Sequence, residues 1–253
     1  MRRLRRVAFG LVLAAVAFAG LIGVEVALAV HRHYLPTQPP LKVGGSFGPA
    51  GGRPRTFVVM GDSTAAGVGA SDAAHAYPTL LARRLGTLGW RVHLSDLGIS
   101  GARTRDVLID QVPKAMALRP ELVFVGIGAN DTTHLTNLGS VREDMGQILD
   151  QLKRTGATAV VAGAPDMHAA AFLPPLREIS AWRGRHVAAA IADAARSRHV
   201  RVVPLAEKTS DLFSDQPNRY YSTDGFHPGP AGYQAWANAI FPVLEQAIGR
   251  PPA

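Results

Sequence analysis

The 253-residue chain contains no cysteine, which excludes disulfides, thiolate nucleophiles and cysteine-bearing metal sites together. Packing alone must hold whatever fold it adopts. No Gly-x-Gly-x-x-Gly follows a strand and no Walker sequence is present, so Gly61 does not open a nucleotide-phosphate loop. Ser63 is not framed as Gly-x-Ser-x-Gly, which removes the nucleophile elbow of α/β-hydrolases. Apart from His227, the histidines show no pairing at metal-ligand spacing with carboxylates, so neither a metal nor a cofactor is expected. Internal repeats are absent, and low complexity is confined to the Arg-Pro-Pro-Ala end. A basic stripe is missing too. The formal net charge is +8, but Arg2, Arg3, Arg5 and Arg6 supply four of those charges, and the remainder is scattered without interleaved aromatics. No nucleic-acid partner is therefore expected.

What is present begins with a long apolar run. Residues 7–30 carry one charge, Glu25, behind the arginine cluster, and a helix of roughly 20 residues suffices to cross a bilayer. Two outcomes compete: an uncleaved anchor with its basic end in the cytoplasm, or a signal peptide cut after Ala27-Leu28-Ala29, giving a secreted chain. The run exceeds a typical signal-peptide core, which favours the anchor. Either route places the remainder outside the cytoplasm. Residues 31–55 are dense in proline and glycine, from Pro36 to Pro54, and read as a linker. The folded domain is expected over 56–250.

Within that domain, short apolar runs alternate with helical periodicities. Strands are expected at 56–60, 91–97, 122–127, 159–162 and 201–205, and helices at 78–88, 141–154, 180–198 and 231–248. Trp182 and Trp236 fall on helices and are expected in the core. Five βα units in succession imply an α/β fold with a parallel sheet covered on both faces. Ligands of such sheets bind beyond the carboxyl ends of the strands, where strand order reverses. Ser63, Gly101 and Asn130 each stand just past one of the first three strands, and residues 164–176, past the fourth, are placed to wall a pocket there.

Four signals fall in order: Gly61-Asp62-Ser63, Gly101, Gly128-Ala129-Asn130-Asp131 and Asp224-Gly225-Phe226-His227. They amount to the parts of acyl transfer through a serine. Ser63 needs a neutral imidazole to accept its proton, and His227 is the candidate. Asp224, three residues earlier, is placed to fix the tautomer of that ring. The amides of Ser63 and Gly101 and the side chain of Asn130 are the candidate donors to the oxyanion.

These blocks, Gly-Asp-Ser-Thr (61–64), Leu-Gly-Ile-Ser-Gly (97–101), Gly-Ala-Asn-Asp (128–131) and Asp-Gly-Phe-His-Pro (224–228), resemble those of the SGNH hydrolases, also called GDSL-type esterases and lipases. The resemblance spans about 56–248. It implies a flavodoxin-like three-layer sandwich with a five-stranded parallel sheet, Ser63 as nucleophile with Asp224 and His227, and Gly101 and Asn130 as oxyanion donors. Relatives often carry Asn where Asp96 stands. The expected function is an exported, membrane-tethered, monomeric serine esterase acting on a carboxylic ester or thioester of a small molecule, lipid or glycan. An envelope O-acyltransferase of the same fold and a non-catalytic binding protein are the alternatives.

Overall fold

The computed structural model describes residues 2–251, with side chains from Arg5 onward, so Arg2 and Arg3 of the basic cluster lie outside the side chains described. Helix α1 (Arg2–Val30) comes first, followed by strands β1 (Gly44–Phe47) and β2 (Arg53–Gly61). Next are α2 (Tyr77–Thr87), β3 (Trp90–Asp96), α3 (Thr104–Asp106), a π-helical turn (Val107–Gln111) and α4 (Val112–Ala117). Strand β4 (Leu122–Gly126), α5 (Ala129–Thr133), α6 (Leu138–Lys153) and β5 (Thr158–Ala162) follow. The chain closes with α7 (Leu176–Arg196), β6 (Arg201–Val203), α8 (Leu205–Asp215), α9 (Pro217–Tyr220) and α10 (Pro230–Ile248).

The sheet order is β1-β3-β2-β4-β5-β6. Its five expected strands are parallel, and their order reverses at β2, between β3 and β4. A sixth strand corrects the expectation. β1 pairs antiparallel with β3, Gly44 opposite Ser95 and Phe47 opposite Val92, so part of the expected 31–55 linker is a sheet edge, and β2 itself begins at Arg53. Gly-Gly-Ser-Phe carries no alternating pattern because an edge strand, three of its four residues exposed, has no face to bury.

Successive residues of β2 point into opposite layers. Phe57 and Val59 join Leu81 and Leu85 of α2 and Trp236 and Ile240 of α10. Val58 and Met60 join Met145 and Ile148 of α6 and Val187 and Ile191 of α7. Burial on both faces is why the central strands read as unbroken apolar runs. Each such side chain contributes about 1.5–3 kcal/mol, and the two layers hold the carboxyl edge of the sheet in place.

Trp236 is buried as expected, but Trp182 is 53 % exposed on α7. The inward stripe of that helix runs through Ala181, Gly184, Val187 and Ile191, and Trp182 falls beside it, with its ring 4.4 Å from that of His186. The side chains of α1 are mostly exposed, and the helix is long and apolar enough to cross a membrane.

Candidate active site

Strand β2 ends in a turn that the sequence itself caps. Asp62 Oδ1 accepts from the Thr64 amide (2.9 Å) and hydroxyl (2.8 Å), while the Ala66 and Val68 amides donate back to the Asp62 and Ser63 carbonyls. Burial raises the pKa of the Asp62 carboxyl, against the pull of the two Thr64 donors. The turn leaves Ser63 Oγ facing the loop between α9 and α10.

In that loop Asp224 closes an Asx turn. Its Oδ1 accepts from the Ser222 hydroxyl (2.8 Å) and from the amides of Phe226 (2.9 Å) and His227 (3.0 Å), and Gly225 supplies the required positive φ of 69°. Asp224 Oδ2 lies 2.6 Å from His227 Nδ1, and His227 Nε2 lies 3.0 Å from Ser63 Oγ. Burial pushes the Asp224 carboxyl upward, but the bonds from the His227 ring and the two amides outweigh it and hold the pKa well below the carboxylate range. An ionised carboxylate only accepts, so Nδ1 carries the proton and Nε2 is left to accept from the Ser63 hydroxyl. The chain Ser63–His227–Asp224 is thus assembled with a serine proton aimed at a ring nitrogen able to take it. Ser63 and His227 are 8 % and 7 % exposed, so the electrostatics act with little water in between.

Asn130 sits in the first turn of α5, directly past β4. One hydrogen of its amide goes to the Ala102 carbonyl (3.0 Å), which leaves the other unused and fixes the plane of the group. Asp131 Oδ2 accepts from the Thr104 amide and hydroxyl, both at 2.9 Å, tying this turn to the loop after β3. Gly101 lies in that loop at φ 84°, next to the carbonyl that holds Asn130. Ser63, Asn130 and His227 line one cleft; Gly101 stands outside its lining.

Pro165, Met167 and Ala169 of the expected pocket wall line the cleft too, with Phe213 and Trp236 opposite. Its free volume is only about 30 Å³, which makes it a narrow cleft. A larger groove of about 900 Å³ runs between residues 32–41 and 217–230 and contains neither Ser63 nor His227. Among the described residues no three His, Asp or Glu side chains gather to hold a metal ion.

Gln111 was not legible as a site residue. Its side chain, fully buried, donates to the Gly61 carbonyl (2.8 Å) and accepts from the Gly61 amide (2.9 Å), clamping the end of β2 two residues before Ser63. Its one signal is a glutamine inside an otherwise apolar helical pattern.

Residues 59–235 match the GDSL-like lipase/acylhydrolase family. The chain belongs to this family. It is 31 % identical over 196 residues to the GDSL-like esterase Rv1075c of Mycobacterium tuberculosis, a match covering 76 % of this chain and 62 % of that protein. Among solved structures it resembles TesA, with a TM-score of 0.65 at 22 % identity over 77 % of this chain and all of that one. A lipase/acylhydrolase from Enterococcus faecalis gives 0.62 at 19 % identity over 79 % of this chain and all of that one. Both similarities are of fold.

Proposed function

We propose that the protein is a serine ester hydrolase working through an acyl-enzyme on Ser63. The observation that carries this reading is the unbroken hydrogen-bonded chain from Ser63 Oγ through His227 to the ionised Asp224. As Ser63 attacks an acyl carbon, its proton passes to His227 Nε2, and Asp224 stabilises the imidazolium that forms. The carbonyl oxygen becomes negative. The Ser63 and Gly101 amides and the free hydrogen of Asn130 receive it, in a setting where one such donor is worth about 3–4 kcal/mol. His227 then returns the proton to the leaving alkoxide. Water, activated by the same ring, releases the acid.

The confined cleft supports a short acyl group, with the alcohol part of the substrate outside. Family membership and the relative named as an esterase support the reaction class. The test is hydrolysis of p-nitrophenyl esters from acetate to palmitate by the full chain in detergent, beside Ser63→Ala. Turnover that falls with chain length and drops at least a thousandfold in Ser63→Ala is expected. Retention of more than a tenth of the activity in that variant would remove Ser63 from the mechanism.

A further inference from the structure

The Asp224 carboxylate receives one donor from outside its own loop, and it comes from the segment that leaves α1. The Leu35 amide donates to Asp224 Oδ2 (3.3 Å), the oxygen that also accepts from His227. Three residues earlier, Arg32 Nε donates to the Asp224 carbonyl (3.0 Å) and Arg32 Nη1 to the Ala171 carbonyl (3.4 Å). Between them, the Tyr34 ring meets Phe226 edge-on at 5.5 Å, and Phe226 contacts Phe172 at 5.7 Å and the His227 ring at 5.2 Å.

A tether that merely connected a helix to a domain would have its amides and its arginine in water. Here both are turned onto one residue. Nor does the loop need them to close, because Ser222 N donates to the His227 carbonyl (2.8 Å) and Tyr221 bridges Pro228. What they add is orientation. The terminal torsion of an aspartate is broad and nearly two-fold. Three donors on Oδ1 and the Leu35 amide on Oδ2 together select the rotation that presents Oδ2 to His227.

The geometry points to Arg32 and Leu35 as positioning residues of the active site: the segment emerging from the apolar helix holds Asp224, and through it the His227 ring, in line with Ser63. This rests on the reading of Ser63, His227 and Asp224 as the catalytic set. Angular error in such a chain is costly, since misplacement of about 1 Å can slow a reaction a hundredfold.

The experiment uses the full chain in detergent with p-nitrophenyl acetate, a water-soluble ester that needs no membrane. Arg32→Met removes both guanidinium bonds, Leu35→Pro removes the amide donor, and Arg32→Lys retains a cation able to reach one carbonyl. Arg32→Met and Leu35→Pro should each lower kcat about tenfold, with KM within twofold and the melting temperature within a few degrees. Labelling by a fluorophosphonate should slow in parallel, and Arg32→Lys should recover part of the rate. Unchanged kcat in both variants would overturn the proposal. So would a kcat that is normal once corrected for the folded fraction seen by circular dichroism, or a rise in KM alone, which would place the segment against substrate. Ser63→Ala in the same series separates the two readings: activity surviving there sinks the catalytic assignment whatever Arg32 and Leu35 do.

Discussion

Asn130 and Asp96 show how little side-chain difference decides a role. Asn130 is anchored through one amide hydrogen to Ala102, which leaves its second free. If that hydrogen serves the proposed oxyanion site, Asn130→Ala should lower kcat by about a hundredfold or more while KM barely moves, because such a donor acts where charge develops in the transition state. Steady-state kinetics on a short-chain ester checks it. Asp96, at the end of β3, has its pKa raised from 3.8 to about 7 by burial, with the Gly98 amide offsetting only part of the effect. The folded chain therefore holds this proton more tightly than the unfolded one. The associated stability is fully present below pH 4 and is lost as pH rises through 7. Asp96→Asn abolishes that titration while keeping the shape. Its melting temperature should match the parent near pH 4 and exceed it increasingly from pH 5 to 8, as scanning calorimetry would show.

At the scale of elements, the parts most legible in the sequence are those whose pattern serves packing. Strands β2, β4 and β5 announce themselves because residues of both faces are buried, β3 because Trp90, Val92 and Leu94 alternate with polar residues, and α2, α6, α7 and α10 because each has one inward stripe. Ser63 and Asn130 stand in short polar clusters just past β2 and β4, and Asp224 and His227 in the loop before α10; the structure brings Ser63, His227 and Asp224 into one hydrogen-bonded chain. β1 was not legible, since an exposed four-residue edge needs only backbone hydrogen bonds. The π-helical turn was not either. Its extra residue per turn turns Gln111 into the core, where it reaches Gly61, and helical periodicity has no mark for that. Gln111→Leu keeps the bulk but leaves the buried Gly61 amide without a partner; the Gly61 carbonyl still accepts from Ile99. An orphaned buried donor costs about 1–3 kcal/mol. For a domain of this size, that lowers the melting temperature by roughly 2–12 °C. An unchanged melting temperature would mean that the clamp contributes nothing to holding the end of β2.

Over the whole molecule, Glu25 ties the apolar helix α1 to the folded body. A carboxylate is a poor passenger in hydrocarbon, yet here it lies inside an apolar helix. It is 4 % exposed, and its Oε2 accepts from the Leu176 amide (2.9 Å) at the start of α7. Helix starts leave amides unsatisfied, and an acidic group is favoured there. One turn later, Ala29 packs against Ala169, Ala171 and Phe172. The last turn and a half of α1 thus belongs to the folded body, and residues 7–24 are free to span. At about 1.5 Å per residue they cover roughly 27 Å, close to the ~30 Å of a bilayer core. Leu173, on the approach to α7, and Ile179 and Trp182 on that helix are exposed apolar side chains that an apolar environment would favour. Cleavage after Ala29 would strip the Glu25 cap from α7 and uncover Ala169 and Phe172, whereas a retained helix keeps both. The expected outcome is an uncleaved anchor. The chain recovered from its native membranes should stay with them through an alkaline carbonate wash, and its intact mass should include residues 1–30. A soluble form beginning at residue 30 in the medium would establish the secreted alternative, and would predict a body less stable than the full chain by about the worth of a helix cap, roughly 0.5–2 kcal/mol.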